Sequence, residues 1–296
     1  MTAFTNTAAR QLVINWHITE VCNYSCRYCF GKWEKNTREL LHNAEHTQSL
    51  LHELAHYFHP DNTRKQLESD SVDTRIRINL AGGEPLLYPA RFEAIVRIAH
   101  ILGMDVSCIT NGSRLNGDLL HRLSGKLTVL GISVDTSCAD TNQVIGRVDR
   151  SGALNLDDLC RLVQLARHTN PHISIKINTV VNSANWTSNL SDWIARISPD
   201  KWKIFKVLPA VNCQLTVSDR EYQSFLRRHQ HHSDIITAED NTQMTQSYLM
   251  IDPVGRLYQN KETGDGYDYS DPILEVGVEQ ALAQIRFNAV RFLERY

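Results

Sequence analysis

The sequence predicts an α/β fold: a partial (βα)6 barrel over residues 1–210, and a C-terminal extension over 211–296 that packs on the barrel and closes its open face. Three observations lead there. Six short runs of β character alternate with helical stretches, which implies parallel strands joined by right-handed crossovers. Six are too few for a full eight-stranded barrel. Three distinctive short motifs fall on the loops after the first three strands, the side on which such folds gather their chemistry.

The strands are read at Leu12–Ile18, Arg75–Leu80, Asp105–Thr110, Thr128–Val134, His172–Val180 and Lys201–Leu208. Between them lie helices at Asn36–Phe58, Pro89–Leu102, Arg114–Ser124, Leu154–His168 and Asn189–Ile197. The first helix carries Leu40, Leu41, Leu50, Leu51, Leu54 and Tyr57 at mixed three-to-four spacing, an apolar stripe. After Leu208 the pattern changes. Glu221–His232 reads as a polar-faced helix, and Ser247–Ile251 with Arg256–Asn260 as a hairpin turned by Asp252-Pro253-Val254-Gly255. Val276–Leu282 and Asn288–Glu294 read as short helices.

Composition narrows the class. Among 296 residues, 31 Lys and Arg nearly balance 33 Asp and Glu, a net charge of −2. That gives no basic field for nucleic acid, so an anionic ligand would need a local cluster of cations. No apolar run approaches the roughly 18 residues of a membrane span, and Met1–Arg10 has no signal core. A membrane role is not expected. Seven cysteines, an odd number, fit a reducing cytoplasm better than a disulfide framework. Cys108, Cys138, Cys160 and Cys213 are scattered and read as small buried hydrophobes.

Cys22, Cys26 and Cys29 are clustered, in the run Cys22-Asn23-Tyr24-Ser25-Cys26-Arg27-Tyr28-Cys29. Three thiolates at this spacing can hold three irons of a [4Fe–4S] cluster and leave the fourth open; ordinary electron-transfer clusters use four cysteines. Zinc would want a fourth Cys or His close by, and none follows. With an aromatic beside the last cysteine, the run resembles the signature of radical S-adenosylmethionine (SAM) enzymes, which implies SAM as cofactor. Gly82-Gly83-Glu84-Pro85 on the second loop then resembles their SAM-binding loop, where Glu84 and the glycine backbone would meet the methionine amino group. Asn111, in the turn Thr110-Asn111-Gly112, and Ser133, at the end of the fourth strand, complete the cofactor candidates.

The second half carries cations where the mouth would be. Arg147 follows the fourth strand. Lys176 and Asn178 share a face of the fifth, being two residues apart. Lys203 and Lys206 lie on the sixth, three apart, so only one should point inward. Polar residues inside a helix-covered sheet need a use, and Arg147, Lys176 and Lys203 together would make a polyphosphate site. The histidines carry no such pattern. His42, His46, His52, His56 and His59, on or near one helix, and His229, His231 and His232 read as solvated-face residues.

Taken together, these segments resemble the viperin family, radical SAM enzymes of antiviral defence, in their prokaryotic form. The likeness runs from about Asn15 to about Leu282 and includes Asn15-Trp16-His17-Ile18-Thr19, Asn79-Leu80-Ala81-Gly82, Ile132-Ser133-Val134-Asp135, Ile145-Gly146-Arg147, Trp202-Lys203-Ile204-Phe205 and Ser247-Tyr248-Leu249. It implies dehydration of a nucleoside triphosphate to its 3′-deoxy-3′,4′-didehydro analogue, a terminator of viral polynucleotide chains. A radical taking hydrogen from ribose C4′ would start that reaction. CTP is the first expectation, with UTP and GTP open. By the same resemblance Asn15 would lie near the base, Arg77 near the nucleotide, and Arg147, Lys176 and Lys203 on the triphosphate, with Asn178 assisting. Lys206 stands where the family has a glutamine. Tyr248 would sit by the ribose as a hydrogen or proton donor, and a flavodoxin or ferredoxin would supply electrons. Ala81 replaces a family serine, and the region Lys261–Asp268 departs from the pattern. The rivals are a peptide-modifying maturase, which often carries further cysteine clusters, and a non-catalytic iron–sulfur protein.

Overall fold

The computed structural model describes residues 10–31, 38–59, 61–62, 72–209, 213–261, 266–288 and 291–292. The start of the expected helix at Asn36 and most of Asn288–Glu294 lie outside the described residues.

Chain order runs β1 (Arg10–His17), α1 (Ala44–Tyr57), β2 (Val72–Ala81), α2 (Pro89–Ile101), β3 (Asp105–Thr110), α3 (Gly117–Arg122), β4 (Val129–Ser133) and α4 (Ala139–Ile145). A two-residue hairpin pair, β5 (Val148–Asp149) and β6 (Gly152–Ala153), precedes α5 (Leu156–Thr169), β7 (Ser174–Val181), α6 (Ser191–Ile197) and β8 (Lys201–Lys206). Then follow α7 (Asp219–Arg228), β9 (Ile236–Glu239), α8 (Asn241–Met244), β10 (Leu249–Ile251), β11 (Arg256–Asn260), β12 (Tyr267–Pro272) and α9 (Ile273–Ala283), which kinks at Gly277. Local chemistry starts the helices. Asn43 caps α1 through the His46 amide, Asn155 caps α5 through those of Asp157 and Asp158, and Ser218 with Glu221 forms a capping box on α7.

Ten strands make one sheet in the order β12-β11-β10-β1-β2-β3-β4-β7-β8-β9. All six strands read from the sequence are present and parallel. Two further parallel strands join them, β10 beside β1 and β9 beside β8, while β11 and β12 are antiparallel. The segment after residue 213 is thus woven into both ends of the sheet. β9, with only Ile236-Thr237-Ala238-Glu239, offered no apolar run to read. The expected hairpin is formed by β10 and β11.

The sheet is curled. Seven strand spacings separate β10 from β9, about 33 Å if laid flat at ~4.8 Å each. Tyr248, which leads into β10, nonetheless donates to Glu239 on β9 at 2.5 Å and accepts from Lys203 on β8 at 2.7 Å. Side chains cannot span a flat sheet, so its parallel ends are brought together at a seam. Among the described residues no β-ladder closes that seam.

Alternation divides the strands cleanly. Facing the helices are Ile14, Trp16, Ile78, Leu80, Ile132, Ile177, Trp202 and Ile204, each at most 1% exposed. Facing inward are polar rows fixed by register: Asn15–Asn79–Ser107, Gly131–Lys176–Lys201, and Ser133–Asn178–Lys203–Thr237. The core therefore lies between sheet and helices, and the interior of the curl is left to polar chemistry.

Three surface and core expectations change. His229 is buried: its Nε2 accepts the Leu190 amide at 3.0 Å and its ring packs edge-on against Trp202, because the end of α7 folds beneath β8. Burial lowers its pKa to about 4. Cys108 and Cys160 are buried as expected, but Cys138 and Cys213 are exposed on connections between elements. His42, His46, His52, His56 and His59 are solvent-exposed. No helix among the described residues is long and apolar enough to cross a membrane.

Candidate functional site

The cysteine loop leaves β1 and is held from three sides. Beneath it lies the glycine loop after β2: Gly83 N donates to Thr19 O at 2.7 Å and Glu84 N to Val21 O at 2.8 Å. A Cβ on Gly82 would stand 2.6 Å from Thr19 O, and one on Gly83 2.2 Å from Val21 O. The glycine pair therefore lets two backbones meet, cofactor loop on cysteine loop. On the second side, Ser25 N donates to Gly146 O and Arg27 N to Ile145 O, at the end of α4. On the third, Glu39 accepts from Thr19 Oγ1 at 2.9 Å and from Glu20 N at 2.7 Å.

Glu84 is fully buried. Its carboxylate accepts Thr110 Oγ1, Asn111 N and Leu86 N at 2.7–3.0 Å, so it ties the β3 loop to the glycine loop. Burial raises its pKa against those hydrogen bonds. Asn111 reaches back to the cysteines: Nδ2 donates to Asn23 Oδ1 at 3.0 Å and lies 3.9 Å from Cys22 Sγ. Asn23 in turn donates to Ser113 and Asp149.

Arg147 is bound into this cluster. Its guanidinium donates to Tyr28 Oη at 3.1 Å and to Ser133 O at 2.6 Å, stands 3.7 Å from Asp135, and lies 5.7 Å over the Tyr24 ring. Tyr28 also donates to Asp135. Asp135 and Arg147 are 1% and 7% exposed, a buried ion pair directly under the cysteines. α4 returns Arg147 to the cysteine loop, and its bond to Ser133 O keeps it next to the inner row in which Ser133 pairs with Asn178.

Cys22 is exposed and Cys26 and Cys29 half-buried. Burial raises the thiol pKa of Cys22, and that of Cys26 to about 12, with Arg147 pulling Cys26 the other way. Among the described residues, no three His, Cys, Asp or Glu side chains converge closely enough to hold one metal ion. Spread thiols on one loop, above a buried cation, would suit a larger anionic cluster: thiolate is the ligand form, and Arg147 would offset its charge.

Further along the inner face lies the cationic wall. Lys176 is half-buried and extends over Gly131, its register partner; a Cβ there would come within 3.3 Å of Lys176 Cε. Burial, then Lys203, Arg77 and Lys201, lower its pKa to about 7. Asn178, 6% exposed, has an Oδ1 with no hydrogen-bond partner. Lys203 faces inward, 7% exposed, whereas Lys206 turns to the opposite side of β8 and pairs with the exposed Asp219 at the start of α7. A spacing of three admits one inward lysine, and the register selects Lys203. Asn15, expected near the base, accepts from Asn79 Nδ2 at 2.8 Å and donates to Leu249 O.

Several residues escaped the sequence reading. Glu239 carries no local signal, and Tyr28 and Asp135, though they fall in the quoted motifs, were given no role. Gly131 could have been found, because a glycine inside a strand marks close approach. A second wall is aromatic: Tyr258 Oη meets His17 Nδ1 at 3.1 Å, tying β11 to the end of β1, and Tyr267 Oη donates to Phe30 O at 2.7 Å, tying β12 to the cysteine loop.

Residues 16–181 match the Radical SAM superfamily. An S-adenosylmethionine-dependent nucleotide dehydratase of Pseudoalteromonas ulvae is 46% identical, covering 98% of this chain and 94% of that protein. One from Psychrobacter lutiphocae is 43% identical, over 98% and 96%. Among solved structures, native anSMEcpe with bound AdoMet and Kp18Cys peptide superposes with a TM-score of 0.68 at 14% identity, covering 95% of this chain and 84% of that one, a likeness of fold. The chain belongs to the radical SAM superfamily and, within it, to the family of S-adenosylmethionine-dependent nucleotide dehydratases. The viperin-like resemblance read from the sequence is thereby borne out, and the protein is an enzyme. SAM and an iron–sulfur cluster are general features of its superfamily.

Proposed function

We propose that this enzyme dehydrates a nucleoside triphosphate, CTP first among the candidates, to the 3′-deoxy-3′,4′-didehydro nucleotide. Asn178 carries the reading. Its buried amide oxygen is an acceptor awaiting a donor, beside Lys176 on an inner face crowded with cations. An unsatisfied buried acceptor calls for a partner, and a ribose hydroxyl or exocyclic amine supplies one that a bare polyphosphate lacks. Lys176 and Arg77 would take the phosphate charge, and Asn15 would lie at the base.

Cys22, Cys26 and Cys29 would hold a [4Fe–4S] cluster, with Arg147 offsetting its charge. The carbonyls of Gly82 and Gly83 suit the methionine amino group of SAM, with Asn111 and Ser133 nearby, while Glu84 fixes the two loops that carry them. Reductive cleavage of SAM supplies the radical that attacks the sugar, with a flavodoxin or ferredoxin as electron source. The chain's own part is placement: cations anchor the distal end so that ribose stays at about 3–3.5 Å from its reactant, and the curled sheet keeps water away. Tyr248 would face the ribose as proton or hydrogen donor. Antiviral chain termination in the cytoplasm is the role this product would have.

The test uses anaerobic enzyme reconstituted with iron and sulfide, then given dithionite, SAM and each of CTP, UTP and GTP. The expected result is nucleotide-dependent 5′-deoxyadenosine and a product lighter by one water. Deoxyadenosine formation indifferent to every nucleotide would overturn the proposal.

A further inference from the structure

One buried carboxylate beside the cysteine loop comes from outside the motifs. Glu39, 6% exposed, lies in the chain between that loop and α1. Its two oxygens face the root of the loop: Oε1 accepts from Glu20 N at 2.7 Å and Oε2 from Thr19 Oγ1 at 2.9 Å. Thr19 Oγ1 in turn accepts from Val21 N at 3.1 Å, so one carboxylate orders three consecutive residues. The carbonyls of the same stretch meet the glycine loop, Thr19 O receiving Gly83 N and Val21 O receiving Glu84 N. Cys22, the next residue, is exposed. Glu39 thus grips the chain just ahead of the first thiol.

Glu39 is itself held. Leu40 N donates to Pro253 O at 2.8 Å, in the turn between β10 and β11, and a Cβ on Gly255 would stand 2.8 Å from Leu40 Cδ1. His42 Nε2 lies 3.2 Å from Glu39 Oε2, and the His42 ring packs edge-on against Tyr88. The position calls for a carboxylate. Two donors from adjacent residues arrive at one side chain, one on each oxygen, whereas an amide would aim its NH2 at one of them. Burying the charge costs desolvation, which charge-assisted hydrogen bonds to both donors offset. Cys22 follows Glu20 by two residues, at most about 7 Å of extended chain. A displacement at Glu20 therefore reaches the thiol with little chain between to absorb it.

We infer that Glu39 is a positioning residue: by holding Thr19 and Glu20 it sets where the Cys22 thiol stands relative to the glycine loop, and so where a cluster on the cysteines meets SAM on the glycine loop. It acts through the main chain of the cysteine loop. This rests on the cluster reading given above.

Four variants test it. Glu39→Gln keeps the shape and loses one acceptor. Thr19→Val keeps the shape and loses the hydroxyl, which Thr19→Ser restores. His42→Ala is the control: it removes a contact to Glu39 and leaves both bonds to the loop. Each protein is reconstituted anaerobically with iron and sulfide. The rate of iron loss to a chelator is followed by absorbance, and the paramagnetic resonance of dithionite-reduced protein is recorded with and without SAM. Urea midpoints of the metal-free proteins report general damage. Glu39→Gln and Thr19→Val lose iron about tenfold faster than wild type or more, the range for a residue that orients a metal ligand, and their spectra respond less to SAM. Thr19→Ser and His42→Ala stay within about threefold of wild type, below that range. A wild-type rate of iron loss in Glu39→Gln, an equal acceleration in His42→Ala, or iron loss that merely tracks the urea midpoint across the four variants would each overturn the inference. Its failure is distinct from that of the cluster reading, which shows in wild-type protein alone as a failure to retain iron and sulfide.

Discussion

Gly146 and Ser25 touch backbone to backbone: a Cβ at position 146 would stand 2.3 Å from the Ser25 carbonyl oxygen, and Gly146 holds φ at +86°. A helix end in the left-handed region, favoured by glycine, is thus pressed against the loop that carries Cys22, Cys26 and Cys29.

Gly146→Ala is expected to displace that loop. The backbone strain alone costs about 1–2 kcal/mol, and the clash falls on atoms that cannot rotate away. Reconstituted protein should carry well under half the wild-type iron and sulfide while far-UV circular dichroism is unchanged. Full iron loading would show that the loop tolerates the intrusion.

Arg147→Met should cost more than loss of a surface charge. It leaves Asp135, 1% exposed, without its cation. Breaking one side of a buried ion pair costs about 3–5 kcal/mol. Urea unfolding of the metal-free protein should show that loss, and Asp135→Asn combined with Arg147→Met should recover part of it. A loss below about 1 kcal/mol would mean the pair is solvated.

Lys176 makes nucleotide binding sensitive to pH. Burial and neighbouring cations lower its pKa to about 7 from 10.5, so the free enzyme loses this charge as pH rises through 7. Triphosphate favours the ammonium, hence binding at pH 8 should take up a proton and weaken with rising pH. Calorimetry in buffers of different ionisation enthalpy reads that uptake, which Lys176→Met should abolish. The stability sign also follows. Between about 7 and 10.5 the unfolded chain binds more protons at this site than the folded one, so its contribution to stability rises with pH across that window. Buffer-independent binding heats at pH 8 would contradict this.

Lys206→Ala separates the two lysines of β8. Its partner Asp219 is largely exposed, and such a pair contributes at most about 1 kcal/mol. The KM for nucleotide should stay within twofold of wild type, whereas Lys176→Ala raises it at least tenfold. A large KM effect from Lys206→Ala would place the substrate on the other side of β8.

Much of this was legible beforehand. Parallel strands, the three loops and the cysteine spacing are local patterns, and Lys176 with Asn178 follows from period two. What escaped depended on pairings distant in sequence. Glu239 matters only because the sheet curls and brings β9 against Tyr248. The contacts of Arg147 with the cysteine loop could not be read, because they follow from α4 doubling back to Ser25. The glycine pair was read toward a ligand, yet its missing side chains face Thr19 and Val21, since sequence gives the freedom but not the neighbour.

The Tyr248 hydroxyl also bridges the open edge of the sheet to its opposite side. With the proposed role at the ribose, one atom would serve as latch and as reagent. Attempts to make this enzyme hardier by reinforcing that edge will disturb turnover, and hunts for faster variants there will loosen the barrel, so gains in durability are better sought on the helix-covered exterior.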